Sequence, residues 1–600
     1  MNPISPPRFC FLLLALSAPI ALSTPVQAER SLHITYPPNP HETTASQIFL
    51  IGSAPPTGEV LVNGQPIARS RYGHFAPSFP LKLGVNEFTI RYGTQTVTRQ
   101  VTRLSTAPEI LTGPNFGKDS LTPAVDLARL PDEWICFGAI APPNASVTVK
   151  LANQTLPLQS QTRQVTLPAN AAILNQQNQP TEQVGTGRFQ GCTRSVILGD
   201  LGQPEFQMTL DGKTFSQTAP GSIKILSPAK LEVAEVTVDS GTARTGPSTD
   251  YSRLTPLPKG TRARVTGAEG DWVRLDYGAW IRRSEVQIAA AAAPPISLIR
   301  SVKARAISGW TEIAFPLEVP VPVSVQQSDR TFTLTLHNTI AQTDIIRVDD
   351  DPVIARLDWQ QVTPDQIQYT FNLKTNQQWG YKLRYEGTTL ILSLRHSPQL
   401  TQNSKLKTQN SLQGVQVLID PGHGGPEDIG ASGPTGYPEK AAVLTTSKLL
   451  QAELERRGAT VYMTRKTDVD VPLADRVAMI NQKQPTIALS IHYNALPDDG
   501  NAEKTQGVST FWYHPQAHSL AVFLHNYLVK TLKRSSYGIY WNNLALTRPA
   551  VAPTVLLELG FMIHPTEFEW IINPQEQRRL AATIADGVAE WLQTTQAAAP

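Results

Sequence analysis

Four side chains in the last third of this 600-residue chain are able to hold a cation or carry a proton. His423 sits in Asp420-Pro421-Gly422-His423-Gly424-Gly425, where glycines allow a sharp turn that exposes one imidazole. His492 and Asn494 close the run Leu489-Ser490-Ile491-His492-Tyr493-Asn494, and Glu558 interrupts Val555-Leu556-Leu557-Glu558-Leu559-Gly560. Glu439 follows Tyr437-Pro438, a proline suited to the first turn of a helix. Singly, each has an ordinary alternative. His423 reads equally as an exposed loop residue, Glu439 as a carboxylate complementing a helix dipole, and His492 as a hydrogen-bonded strand end. Glu558 is harder to set aside, because carboxylates are rarely buried without a partner. Taken together, two imidazoles and a carboxylate are a catalytic zinc donor set with a fourth position open for water. Zinc lowers the pKa of such a water to about 7, and a further acid, for which Glu558 is placed, would accept its proton and hand it to a leaving amine. The residues lie far apart along the chain, so spacing alone does not name the site.

The elements around them are legible. From Gly414 onward, apolar β runs alternate with helical patterns: strands at 415–419, 460–463, 486–491, 508–513 and 554–559, and helices at about 439–456, 472–482, 517–533 and 575–593. Strands apolar on both faces, interleaved with helices, predict a mostly parallel sheet covered on both sides. In such sheets functional residues gather at the carboxyl ends of the strands, which is where His423, His492 and Glu558 fall.

Residues 413–595 resemble the zinc-dependent N-acetylmuramoyl-L-alanine amidases of the amidase-3 family. The likeness runs through Ile419-Asp420-Pro421-Gly422-His423-Gly424-Gly425, Gly430-Ala431, Glu439-Lys440, Thr464-Arg465, Asp468, Leu473, Arg476, Ser490-Ile491-His492, Asn494 and Leu556-Leu557-Glu558-Leu559-Gly560-Phe561. The resemblance implies zinc ligation by His423, Glu439 and His492, a catalytic role for Glu558, and hydrolysis of the amide between the lactyl group of N-acetylmuramic acid and L-alanine in peptidoglycan. Asn494 and Arg548 are further candidates for contacting substrate. Where the family usually has Ser-Asn after Gly-Phe, this chain has Met562-Ile563-His564, and His564 is expected at the surface or supporting the site. Some relatives carry an inhibitory helix after the second histidine. Here the polar loop 496–507 intervenes, so no self-occluding helix is expected.

Upstream, short Val/Ile/Thr runs and 49 prolines predict all-β modules on stiff linkers. An immunoglobulin-like domain is expected over 29–105, with Asn63-Gly64 as a hairpin turn, and a second β domain over 106–228 whose Gln/Asn-rich middle (159–187) reads as loop. Residues 229–288 resemble a bacterial SH3-like barrel through Asp271-Trp272-Val273-Arg274-Leu275 and Gly278-Ala279-Trp280-Ile281. A linker at 289–295, a β-sandwich resembling amidase localisation domains at 296–396, and a tether at 397–412 follow. Residues 1–28 read as an export signal, with an apolar core at 9–16 broken too early to span a bilayer and a small-residue site at Val26-Gln27-Ala28. Localisation to the periplasm or cell wall is therefore expected, with no transmembrane segment after cleavage. Cys136 and Cys192 are then the remaining cysteines, and an oxidising compartment favours their pairing. Net charge is only +3, which provides no basic stripe for nucleic acid. Peptidoglycan is the expected partner, with cell-division or wall-localised proteins reached through the β modules. Two rivals stand beside an amidase: a zinc peptidase cutting the stem peptide, and a catalytically inactive wall-binding protein.

Overall fold

The computed structural model describes residues 31–106, 110–175, 178–398 and 411–597. The export signal expected at 1–28 and most of the tether lie outside the described residues. No described helix is long and apolar enough to cross a membrane.

The chain folds as all-β modules followed by an α/β domain. Residues 33–103 form small facing sheets around Ile48, Leu50, Phe75, Phe88 and Ile90, and Asn63-Gly64 turns a hairpin with both φ angles positive. The second module departs from expectation in its middle. Instead of a loop, Gln154–Thr166 and Thr181–Arg194 pair as a long antiparallel hairpin, with a short 3-10 turn at Asn170–Asn175. Much of its length projects beyond the core, so polar side chains suit both faces, and no apolar alternation marks it as strand. At the base of this hairpin Cys136 stands directly across from Cys192, and the two are joined by a disulfide.

The SH3-like barrel is built on Arg262–Glu269, Trp272–Leu275 and Trp280–Arg282. Its sheet continues into the second module, where Leu127 and Ala128 pair with Glu269 and Ala268, so the two modules share a backbone ladder. The start of the expected linker is also strand: Ala289 and Ala290 pair with Val233 and Glu232. Residues 297–395 form a sandwich of a five-stranded and a four-stranded sheet around Phe315, Phe332, Tyr369 and Phe371. From it Trp379 inserts into the core of the last domain, its ring 5.4 Å from that of Trp591.

The last domain carries the predicted alternation. Its strands are β1 (Gln416–Pro421), β2 (Thr460–Met463), β3 (Ile487–Asn494), β4 (Val508–Trp512), β5 (Ser536–Trp541) and β6 (Thr554–Phe561). They are ordered β2-β1-β3-β6-β4-β5, with β2, β1, β3 and β6 parallel and β4 antiparallel to β6. Helices α1 (Glu439–Arg456), α2 (Leu473–Lys483), α3 (Pro515–Leu532), α4 (Pro565–Ile571) and α5 (Pro574–Ala597) flank the sheet. The central strands are buried on both faces: Val417, Leu418, Ile419, Ile487, Leu489, Ile491, Val555 and Leu557 are almost wholly closed to solvent. That explains their unbroken apolar runs. Residues 496–507 form turns and contain no helix.

Candidate metal centre

Parallel pairing aligns the carboxyl ends of β1, β3 and β6, with His492 directly across from Glu558. After β1 the chain turns back through His423, which takes a left-handed φ of 57°. Gly422 is required here by space. A Cβ on it would lie 2.2 Å from the His492 ring, so only glycine lets this backbone pass so close to the imidazole. Gly430 plays the same part on the other side, where a Cβ would lie 2.6 Å from Glu439 Oε2.

Glu439 opens α1 and is buried, and both of its oxygens are fixed. Oε2 accepts from the Ala431 amide at 2.9 Å and Oε1 from the Tyr493 amide at 2.9 Å. His423 Nε2 lies 3.2 Å from Oε2 and His492 Nδ1 3.2 Å from Oε1. One ligand atom from each of His423, Glu439 and His492 lies within 4.8 Å of the others. The electrostatics reflect this crowding. Burial works against the charge on Glu439, but the two imidazoles outweigh it and hold the carboxyl at about 2. Burial likewise opposes a charged His423, yet Glu439 and Asp428 raise it to about 9.

Glu558 completes the set from β6. Burial raises its carboxyl above the ordinary range; the charge of Glu439 adds to this, while His492 and His423 oppose it. Its Oε2 is closed to solvent and has no hydrogen-bond partner among the described residues. A buried, orphaned carboxylate oxygen beside two nitrogens and an oxygen that converge is the environment a divalent cation and its water would complete. The donor set therefore fits a metal.

The turn bearing His423 is held from below. Arg465 donates to the carbonyls of Pro421 and Gly422, at 3.0 and 2.7 Å, and Arg476 to those of Pro421 and His423, at 2.7 and 2.8 Å. Asp420, 1% exposed, pairs with Arg476 at 3.0 Å and accepts from Thr464 and Ser490 at 2.6 and 2.7 Å. Reading the sequence did not give Asp420 or Asp428 a role. Asp428 Oδ1 lies 2.6 Å from His423 Nδ1, the ring nitrogen facing away from Glu439, and so fixes the tautomer and ring orientation. Its place five residues beyond His423 in the same turn was the available signal. Asp428→Asn is expected to weaken metal binding by about 10–100-fold in a metal titration, with melting unchanged because Asp428 is exposed.

Asn494 lies at the same strand end as His492, just past a register shift, with its Oδ1 accepting from the Ala495 amide at 2.9 Å. Arg548 is not brought to the cluster. It precedes β6 and so lies beyond the strand end opposite Glu558, with its guanidinium on Asn543. Its sequence position suited the site only if the loop before β6 reached back over the sheet, and it does not. His564 is not at the surface either. It is buried and caps α4, its Nδ1 accepting from the Glu567 amide at 3.2 Å.

Residues 417–590 match the sequence family described as N-acetylmuramoyl-L-alanine amidase. The last domain belongs to that family. Residues 239–287 match the bacterial SH3 domain family. The amidase domain is 39% identical over 184 residues to LytH of Staphylococcus aureus, described as a probable cell wall amidase; the match covers 30% of this chain and 60% of LytH. The chain thus spans about 60% of the length of the curated relatives it matches. Among solved structures, the N-acetylmuramoyl-L-alanine amidase of Clostridium difficile 630 is 31% identical, with 30% of this chain and 97% of that chain covered and a TM-score of 0.29. AmiC2 of Nostoc punctiforme is 28% identical, with 31% and 99% covered and a TM-score of 0.29.

Proposed function

We propose that the chain is an exported, zinc-dependent N-acetylmuramoyl-L-alanine amidase that hydrolyses the lactyl–L-alanine amide of peptidoglycan in the periplasm or cell wall. The observation that carries this reading is the convergence of His423, Glu439 and His492 beside the partnerless oxygen of Glu558. His423, Glu439 and His492 would hold zinc, which when bound supplies Lewis acidity toward the scissile carbonyl and toward water. Glu558 takes one proton from the attacking water and returns it to the amide nitrogen as the C–N bond breaks. The products are a lactyl carboxylate on the glycan and a free amino group on L-alanine. The fixed oxygens of Glu439 and the arginine-held turn keep the donors in place, so little reorganisation is left for the reaction itself. The disulfide between Cys136 and Cys192 supports an oxidising location, and the SH3-like domain supports retention on the wall.

Digestion of purified cell wall is expected to release intact stem peptides beginning with free L-alanine, detected by mass spectrometry. A chelator should abolish release and added zinc should restore it. Cuts inside the stem peptide would replace this reading with a peptidase, and no release from metal-loaded protein would leave a binding protein.

A further inference from the structure

The first domain does not stand apart from the amidase domain. It packs against two loops that border the metal centre, one leaving His492 and one entering Glu439. On the first, Asp498 accepts from the hydroxyl of Tyr36 and pairs with His41 Nε2 at 2.9 Å, while Gln47 donates to the carbonyl of Asp499. Beside these polar contacts Phe49, Ile51 and Ala76 of the first domain bury Ala502, Phe561 and Ile563 of the amidase domain. On the second, Thr35 Oγ1 donates to the Pro434 carbonyl at 3.1 Å.

The two halves of loop 496–507 are held differently. Its second half is tied within the amidase domain, where the Gly507 amide donates to Glu567. Its first half, which continues directly from the strand carrying His492, has local turns of its own, such as Gly500 to Pro497, Leu496 packed on the apolar cluster shared by the two domains, and the polar contacts from the first domain. A polar loop with so little internal structure samples many conformations unless something anchors it. Here the anchor is a separate domain, attached by a buried apolar cluster and a charged hydrogen-bond network.

We propose, on the amidase reading above, that the first domain is a working part of the amidase site and that Asp498 is its positioning residue. Asp498 is not one of the convergent donors. It sets the loop that borders the catalytic edge, and so the fit of substrate there.

The test uses the full-length, zinc-loaded protein with Asp498→Ala, Asp498→Asn, Tyr36→Phe and the Tyr36→Phe/Asp498→Ala double variant. Asp498→Ala is expected to raise KM for a soluble muropeptide about tenfold or more, the order expected when a positioning contact is lost. It should also speed tryptic cleavage after the exposed Lys504. A general loss of folded enzyme would lower apparent kcat and leave KM alone. Asp498→Asn, which keeps an acceptor for Tyr36, should recover most of the KM, and the double variant should be no worse than Asp498→Ala. Faster cleavage with unchanged KM would mean that the loop is tethered but plays no part in the site. Raised activity in Asp498→Ala would mean that the first domain restrains the enzyme, and either result overturns the inference. An inactive wild type would end the amidase reading itself, whereas an active wild type indifferent to Asp498→Ala ends only this one.

Discussion

Glu558→Gln is expected to lower kcat by about a thousandfold or more, within the range that proton transfer by a positioned side chain contributes, with metal affinity unchanged. The two outcomes separate because Glu558 is not one of the three convergent donors. The amide is nearly the same size as the carboxylate and fills the same place at the end of β6, so the fold has no reason to change. It cannot accept the water proton. The partnerless state of Oε2 among the described residues leaves that oxygen free to take a proton. Single-turnover hydrolysis of a muropeptide, set beside a zinc titration of the same preparation, measures both quantities. A kcat within tenfold of wild type would remove Glu558 from the chemistry and leave the metal centre to act without it.

Asp420→Ala has the largest expected effect on stability. Asp420 and Arg476 are 1% and 2% exposed, and Thr464 and Ser490 complete the carboxylate's partners. Removing one member of a buried pair leaves the other charge uncompensated, which typically costs about 3–5 kcal/mol. The loss falls on the site as well, because Arg476 also holds the carbonyls on either side of the metal-binding turn. Metal affinity should therefore drop together with stability, whereas Asp428→Asn should lower affinity alone. Several domains unfold in this chain, so a single melting temperature would blur the result. Hydrogen exchange at the amides of β1 and α2 reads it locally. Protection there within about 1 kcal/mol of wild type would show that the pair contributes far less than its burial implies.

Much of the amidase domain was legible before any coordinates. Its central strands are buried on both faces and therefore carry unbroken apolar runs, and helix α1 begins at Glu439, directly after Pro438. What escaped was short or marginal. Strand β5 is an edge strand with one neighbour, and its Ser-Tyr-Gly-Ile-Tyr-Trp sequence lacks the apolar core of β3 or β6. Helix α4 has seven residues, too few to show a period, and its start is marked by His564, a cap that looks like a stray histidine. The reversal of β4 against β6 left no trace at all, because a buried strand has the same composition in either direction.

The metal donors divide along the same line. Residue types and local context made His423, Glu439, His492 and Glu558 candidates, but only the acid in an apolar run, Glu558, was a locally costly choice, and it was the resemblance to the amidase-3 family that implied the four act together. Their meeting was decided by parallel register, which sets His492 across from Glu558. The partners that orient them were likewise invisible, since Asp428 reaches back to His423 through a turn and Asp420 is a hub for residues 44 to 70 positions away. Arg548 shows the converse, a plausible residue that the strand direction carries to the far edge. The sequence therefore determined which residues could do chemistry and which segments would be strand or helix, because burial and periodicity act locally. Which of those residues meet, and that the first domain packs on the loops beside them, came from the folded chain alone, because contacts between distant segments leave no periodic mark on either.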